Sequence, residues 1–580
     1  MNKLFFFLII LFPLTFFAQD LKTEFEKSKG NKTATHEQTI QFYQKLANQH
    51  SEISIREIGI SDSGKPLHLV IFNTDPPGNS KSTNDSDRSS KSTILINNGI
   101  HPGESDGIDA SMMLLRDIVQ NDQLKDMLAN IIIYVIPVYN IGGSLYRNAT
   151  SRVNQNGPES YGFRGNARNY DLNRDFIKND TKNAQTFAEI FHLVDPDIFI
   201  DNHVSNGADY QYTLTHLFTQ HNKLGGQLGA FINGKMLPEI ERDLQKKEMV
   251  ITPYVNVFNR TPESGFSQFF DTPRYSTGYS TLFNTLGLMV ETHMLKPYKQ
   301  RVEGVYELML STIKFLSTYG LVLQELRRTN LNEILTRRTY PIQWEIDSTN
   351  STTLNFKGYE GNFVKSKVTG LNRLKYDRSK PYTKPITYYN YFKPIKEITI
   401  PKAYLIPQGW WNIMYRLDLN NIKYHKLFRD TVIQVESYQI KNYKSVKKPF
   451  EGHYLHYNTQ ITKNSKKQSF KKGDYYIPTN QKGIRYLLET LEPEASDSFF
   501  NWNFFDVILG KKEGFSPYVF EDLAVEILNK NPQLKSDFEK LKNEDKEFSE
   551  NWYRQLNYIY NNSKYAEKAY LQYPVYRIAK

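Results

Sequence analysis

Between Thr93 and Tyr319 the chain alternates two kinds of hydrophobic periodicity, and this limits its fold more than any other feature. Short apolar, β-branched runs at Thr93–Asn97, Ile131–Pro137, Ile198–Asp201 and Leu286–Val290 predict buried strands. Amphipathic stretches at Gly107–Gln120, Ala184–Leu193, Leu224–Lys246 and Lys299–Tyr319 predict helices between them. Strands that are apolar on both sides need cover on both sides. The expected fold class is therefore α/β, a mixed, mostly parallel twisted sheet with helices on both faces. Ligands of such sheets gather beyond the carboxyl ends of the strands, which is where chemistry is sought first. Upstream, a helix around Glu37–Asn48 and strands at Ser54–Gly59 and Leu67–Asn73 are predicted, then an exposed polar loop at Asp75–Lys91.

The character changes after about residue 330. Residues 331–475 are rich in Tyr, Thr, Lys and Ile, with alternating runs at Ile386–Phe392, Glu397–Ile400 and Val432–Ile440, and read as a β-rich accessory domain. Residues 476–580 return to helical periods at Lys482–Thr490, Pro517–Asn529, Pro532–Glu547 and Glu550–Tyr560. A chain of 580 residues exceeds one core, so residues 19–330, 331–475 and 476–580 are expected as three regions behind a leader at 1–18. That leader, MNKLFFFLIILFPLTFFA, has one Lys, an apolar run and a small residue at its end. It reads as a signal peptide cleaved after Ala18, the rival being an uncleaved anchor. An exported, periplasmic or secreted protein without stable membrane insertion is expected.

Cysteine is absent, which excludes disulfides, a thiolate nucleophile and a lipid-anchoring Cys. A transition-metal site must be built from His, Asp and Glu. The net charge of +11 comes from scattered residues. The densest cluster, Lys463–Lys472, reads as a solvated hairpin tip, and no nucleic-acid motif is present.

His101 and Glu104 stand three residues apart in the turn that follows the Thr93–Asn97 run. A strand that stops at an imidazole and a carboxylate can present both to one Zn²⁺. His203 follows another apolar run, and two His with one Glu leave a zinc position open, as hydrolytic sites do. Glu291 ends the Leu286–Val290 run, where a charge calls for an explanation. The segment Phe163–Phe176 carries Arg164, Arg168 and Arg174 with Asn166, Asn169 and Asn173, donors suited to a carboxylate, although a basic surface loop has the same composition. His453 and His456, three apart on an alternating run, point to opposite faces and are not expected to share a metal.

HPGE at 101–104, Asp171-Leu172-Asn173-Arg174, and the runs ending at His203 and Glu291 occur in the order seen in carboxypeptidase A-like zinc metallopeptidases. The chain resembles that family over about residues 35–320, and RGNARNYDLNRDF is especially similar to its bacterial members. The resemblance implies one Zn²⁺ per chain on His101, Glu104 and His203, with Glu291 as general base. It implies that Asn173 and Arg174 bind the terminal carboxylate of a peptide substrate, and that Arg164 polarises the scissile carbonyl, with Arg168 or Arg152 as alternatives. The family's mobile tyrosine is Tyr279 or Tyr275, the first being preferred. The expected activity is that of a zinc metallocarboxypeptidase needing no protein partner. A zinc amidohydrolase for cell-wall peptides and a non-catalytic binding protein on the same scaffold are the alternatives.

Overall fold

The computed structural model describes residues 21–75 and 91–580. The signal-peptide expectation and most of the Asp75–Lys91 loop lie outside the described residues. The principal sheet has eight strands: β1 (Ile53–Ile60), β2 (Pro66–Phe72), β3 (Ser92–Asn97), β4 (Ile131–Ile136), β5 (Ile198–Ser205), β6 (Leu214–Phe218), β7 (Ile251–Pro253) and, after the separate two-residue β8 (Phe266–Ser267), β9 (Leu286–His293). Their order is β1-β2-β4-β3-β5-β9-β6-β7. The central β4, β3, β5 and β9 run parallel, whereas β1, β2 and β6 pair antiparallel.

Alternation along the central strands divides the core between two faces. Ile94, Ile96, Ile198, Ile200 and Leu288 pack with Met112, Leu115, Val302 and Leu308 from helices Asp106–Gln120 and Tyr298–Thr336. Leu95 and Phe199 point the other way, toward Phe187 and Phe191 of helix Lys182–Val194. That second core runs on without a break into Tyr404, Ile477, Leu487, Phe499 and Trp502, so the C-terminal half covers this face of the sheet. At about 25 cal/mol per Å² of apolar area, such residues favour docking of the two halves.

The sheets after Thr336 are β10 (Thr339–Ile346) with β13 (Phe392–Thr399), and the hairpin β11 (Thr352–Lys365) and β12 (Asn372–Tyr389), which β8 joins. A six-stranded sheet combines β14 (Ala403–Ile406), β15 (His425–Lys426), β16 (Thr431–Ser445), β17 (His456–Phe470), β18 (Tyr475–Pro478) and β19 (Tyr576–Ile578). Between β18 and β19 lie helices Ile484–Leu491, Pro517–Lys530, Pro532–Glu544 and Trp552–Asn561. The helical tail thus returns to the β-rich sheet through β19, and the boundary drawn at 475 falls inside β18.

Four details differ from the sequence reading. The helix predicted to end at Tyr319 continues to Thr336, because Leu323, Arg327, Asn330 and Ile334 extend its buried stripe at helical spacing. The helix predicted over Leu224–Lys246 is broken at Gly225, where φ is +74°, and passes through a wide turn at Ile232–Met236. Lys463–Phe470 is the end of β17 and no hairpin tip; β17 is an edge strand, and its outward lysines keep that edge hydrated. β5 runs to Ser205 and β9 to His293, beyond the predicted runs, so His203 and Glu291 sit within strands. Among the described residues no helix is long and apolar enough to cross a membrane.

Candidate metal centre and active site

Parallel register sets the geometry at the carboxyl edge of the sheet. His203 of β5 lies directly beside Glu291 of β9, and Asp201 lies between Asn97 of β3 and Met289 of β9. The chain leaves β3 and turns, and Glu104 N–H bonds the His101 carbonyl at 2.7 Å just before helix Asp106–Gln120 begins. The helix N-terminus favours a carboxylate at that point. Gly107 lets the helix start press on β3 and β5: a Cβ there would meet Asn98 Oδ1 at 2.4 Å and Asn202 Cβ at 2.6 Å.

Ligand atoms of His101, Glu104 and His203 lie within 4.8 Å of one another, and all three residues are buried. Glu104 Oε2 is 3.2 Å from Nδ1 of each histidine. The opposite nitrogens are engaged by acids: His101 Nε2 is 2.9 Å from Asp171 Oδ1, and His203 Nε2 is 2.8 Å from Asp201 Oδ2. With Nε2 donating to a carboxylate, each Nδ1 keeps its lone pair toward the shared point, an arrangement recurrent around protein-bound zinc. Asn97 Nδ2 in turn donates to Asp201 Oδ1 at 2.9 Å.

Electrostatics concentrate here. Burial opposes ionisation of Glu104, yet His101 and Arg152 hold its carboxyl well below the usual range. Burial also opposes charge on His203, but Asp201, then Glu104 and Glu291, lift its pKa well above the ordinary value. Burial pushes the Glu291 carboxyl up to about 8 with help from Glu104, against the cations of His203, Arg152 and Arg164. Glu291 Oε2 is buried and has no hydrogen-bond partner. The donor set and this orphaned oxygen beside it fit a divalent cation with a nearby proton acceptor.

Two arginines flank the cluster. Arg164 grips Asp171 Oδ2 through Nε and Nη2 at 3.0 and 2.7 Å, while its Nη1 lies 3.3 Å from His101 Nδ1 and 3.6 Å from Glu104 Oε1. Arg152 bonds Glu104 Oε1 at 2.7 Å and the Val204 carbonyl at 2.9 Å. Arg168 instead partners Asp62, Asp180 and the Tyr170 ring, and makes no bond to the His–Glu–His group.

Asn173 and Arg174 form a short turn capped by Asp171, whose Oδ1 accepts from Asn173 N–H at 2.9 Å. Asn173 Oδ1 accepts from Ser276 N–H at 3.3 Å, and the Arg174 guanidinium lies 4.6 Å from the centre of the Tyr275 ring. The loop carrying Tyr275 is thereby part of this corner. Tyr279, the preferred tyrosine of the sequence reading, is not. It is fully buried among Phe176, Phe187, Phe191 and Phe283, with its hydroxyl 2.7 Å from Asn420 Oδ1. Position 279 belongs to the inward face of helix Ser276–Thr281, whereas Tyr275 precedes that helix at its N-cap. Tyr210 and Tyr212 pack with Phe266, Phe356 and Tyr388 beneath the β11–β12 hairpin.

The sequence motif includes Asp171 without assigning it a role, and leaves Asp201 unmarked. Asp201 stands two residues before His203 on one strand, and the period of two that puts both on one face could have flagged it.

The zinc carboxypeptidase family model matches residues 39–196. Over that segment the chain is similar to zinc carboxypeptidases. The match includes His101, Glu104, Arg164 and Asp171–Arg174; His203 and Glu291 lie beyond its end. Carboxypeptidase 2 of Trichophyton rubrum is 24% identical over 505 residues, covering 83% of this chain and 86% of that protein. Carboxypeptidase 2 of Trichophyton equinum is 23% identical over 509 residues, with the same coverage of 83% and 86%. Among solved structures, a metallo-carboxypeptidase from Burkholderia cenocepacia aligns at TM-score 0.36 and 16% identity, over 50% of this chain and 70% of that one. One from Pseudomonas aeruginosa, in complex with (2-guanidinoethylmercapto)succinic acid, aligns at 0.37 and 14%, over 49% and 69%.

Proposed function

We propose that the protein is a zinc-dependent carboxypeptidase that hydrolyses the last peptide bond of peptides with a free C-terminus. The observation that carries the reading is the buried His101–Glu104–His203 cluster with the partnerless Glu291 Oε2 beside it. His101 and His203 through Nδ1, and Glu104 through a carboxylate oxygen, would hold the ion. When bound, zinc supplies Lewis acidity toward the scissile carbonyl and the attacking water.

The chain's own groups do the rest. Glu291 Oε2 accepts the proton of the attacking water and returns it to the leaving amine. Arg164, 44% exposed in its side chain, can face the carbonyl oxygen as negative charge develops. Arg152, 15% exposed and already bonded on several sides, is better placed to fix Glu104. Arg174 and Asn173 receive the terminal carboxylate, with Tyr275 supporting the guanidinium from below. Anchoring the chain end in that corner sets cleavage one residue in.

The test is Glu291→Gln. Turnover of a blocked dipeptide should fall by at least about 10²-fold, the scale of general acid–base catalysis. One zinc per chain should remain by elemental analysis. Near-normal turnover would overturn the assignment.

A further inference from the structure

The turn joining β16 to β17 reaches from the C-terminal half into the catalytic corner. Phe450 and His453 exchange backbone hydrogen bonds across it, at 2.7 and 3.1 Å, and the two residues between them both have positive φ: Glu451 at +50° and Gly452 at +78°. Such a tight turn favours Asn or Gly at its first central position. A glutamate there pays a conformational penalty, and strained positions of this kind concentrate at functional sites.

The side chain explains the choice. Glu451 Oε2 accepts from the Asp171 N–H at 2.8 Å. Asp171 is the hub of the corner: its Oδ1 meets His101 Nε2 and Asn173 N–H, and its Oδ2 meets Arg164. Gly452 sits against the preceding residue, since a Cβ there would lie 2.8 Å from the Tyr170 hydroxyl. His453 adds a bond of 2.7 Å to Asp180. A second brace acts through Arg274. Asp497 takes the Arg274 N–H at 3.0 Å and its guanidinium at 2.8 and 2.6 Å, and Trp502 lies 4.7 Å beneath that guanidinium. Arg274 adjoins Tyr275, which supports Arg174.

We infer that Glu451 is a positioning residue for the substrate clamp: by fixing the Asp171 peptide it sets the Asn173–Arg174 turn, so the C-terminal half is a working part of the substrate site. The inference rests on the reading of Arg174 as the carboxylate clamp.

Substitution of Glu451 in the full-length, zinc-loaded protein separates positioning from mere support of the fold. Glu451→Gly relieves the backbone strain, so its Tm should equal or exceed that of the parent. Its KM for a peptide with a free C-terminal carboxylate should nonetheless rise about tenfold, with kcat and zinc content much less affected, a loss on the scale seen when outer partners of a site are removed. Glu451→Gln keeps an acceptor oxygen and should hold KM within about twofold. Arg174→Ala is measured alongside. A KM that moves with Arg174→Ala but not with Glu451→Gly overturns this proposal alone. A KM that moves with neither overturns the clamp reading, and this inference with it.

Discussion

His203 Nε2 lies 2.8 Å from Asp201 Oδ2, two residues back along the same strand. The bond commits one ring nitrogen as a donor and leaves Nδ1 for the point it shares with Glu104 and His101. Asp201→Asn should therefore weaken zinc binding by about 10–100-fold, the usual cost of losing a ligand's outer partner. Competition against a chromophoric chelator measures it. Unchanged affinity would remove the Nδ1 assignment.

The two arginines of the corner should fail differently. On the proposed roles, Arg164→Ala removes the donor to the developing charge and should lower kcat by about 10²–10³ with a small change in KM. Arg174→Ala removes the proposed ground-state anchor and should act mainly on KM. Steady-state kinetics on one peptide distinguish them, and identical profiles would show that the roles are misassigned.

The tyrosines offer a sharper contrast. Tyr279→Phe leaves Asn420 Oδ1 without its 2.7 Å donor in the core and should cost about 1–3 kcal/mol of stability, with KM unchanged. Tyr275→Ala removes the ring under Arg174, a contact worth about 0.5–2 kcal/mol, and should raise KM several-fold with little change in Tm. Reversal of that pattern would restore Tyr279 to the site.

Asp109 gives a stability prediction with a definite sign. It is fully buried, bonded by the Tyr298 hydroxyl and by the Ala34 N–H at 3.4 Å, and burial raises its pKa from 3.8 to about 6. A raised folded pKa means that the folded state binds the proton more tightly than the unfolded chain. Stability from this group is complete below pH 3.8 and is lost as the pH rises through about 6. The loss is of order 3 kcal/mol at 1.36 kcal/mol per pH unit. Asp109→Asn should remove it, so the Tm difference, variant minus parent, should grow from pH 4 to pH 8. A flat difference would show that Asp109 keeps its ordinary pKa in the fold.

The sequence alone determined the alternating core and the residues with metal-binding chemistry. Periodicity reports which faces must be buried, and it located β3, β4, β5 and β9 as well as the helices that cover them. With cysteine absent, any transition-metal ligand had to be His, Asp or Glu, and the strand ends named His101, Glu104 and His203. Only the tertiary structure decided how these are held. Asp171 stands 70 residues from His101 along the chain, and Glu451 another 280 from Asp171, so no local pattern could link them. Tyr275 and Tyr279 are indistinguishable by composition. Packing alone sends one toward Arg174 and buries the other, because Tyr275 has extended backbone at the N-cap whereas Tyr279 lies inside the helix.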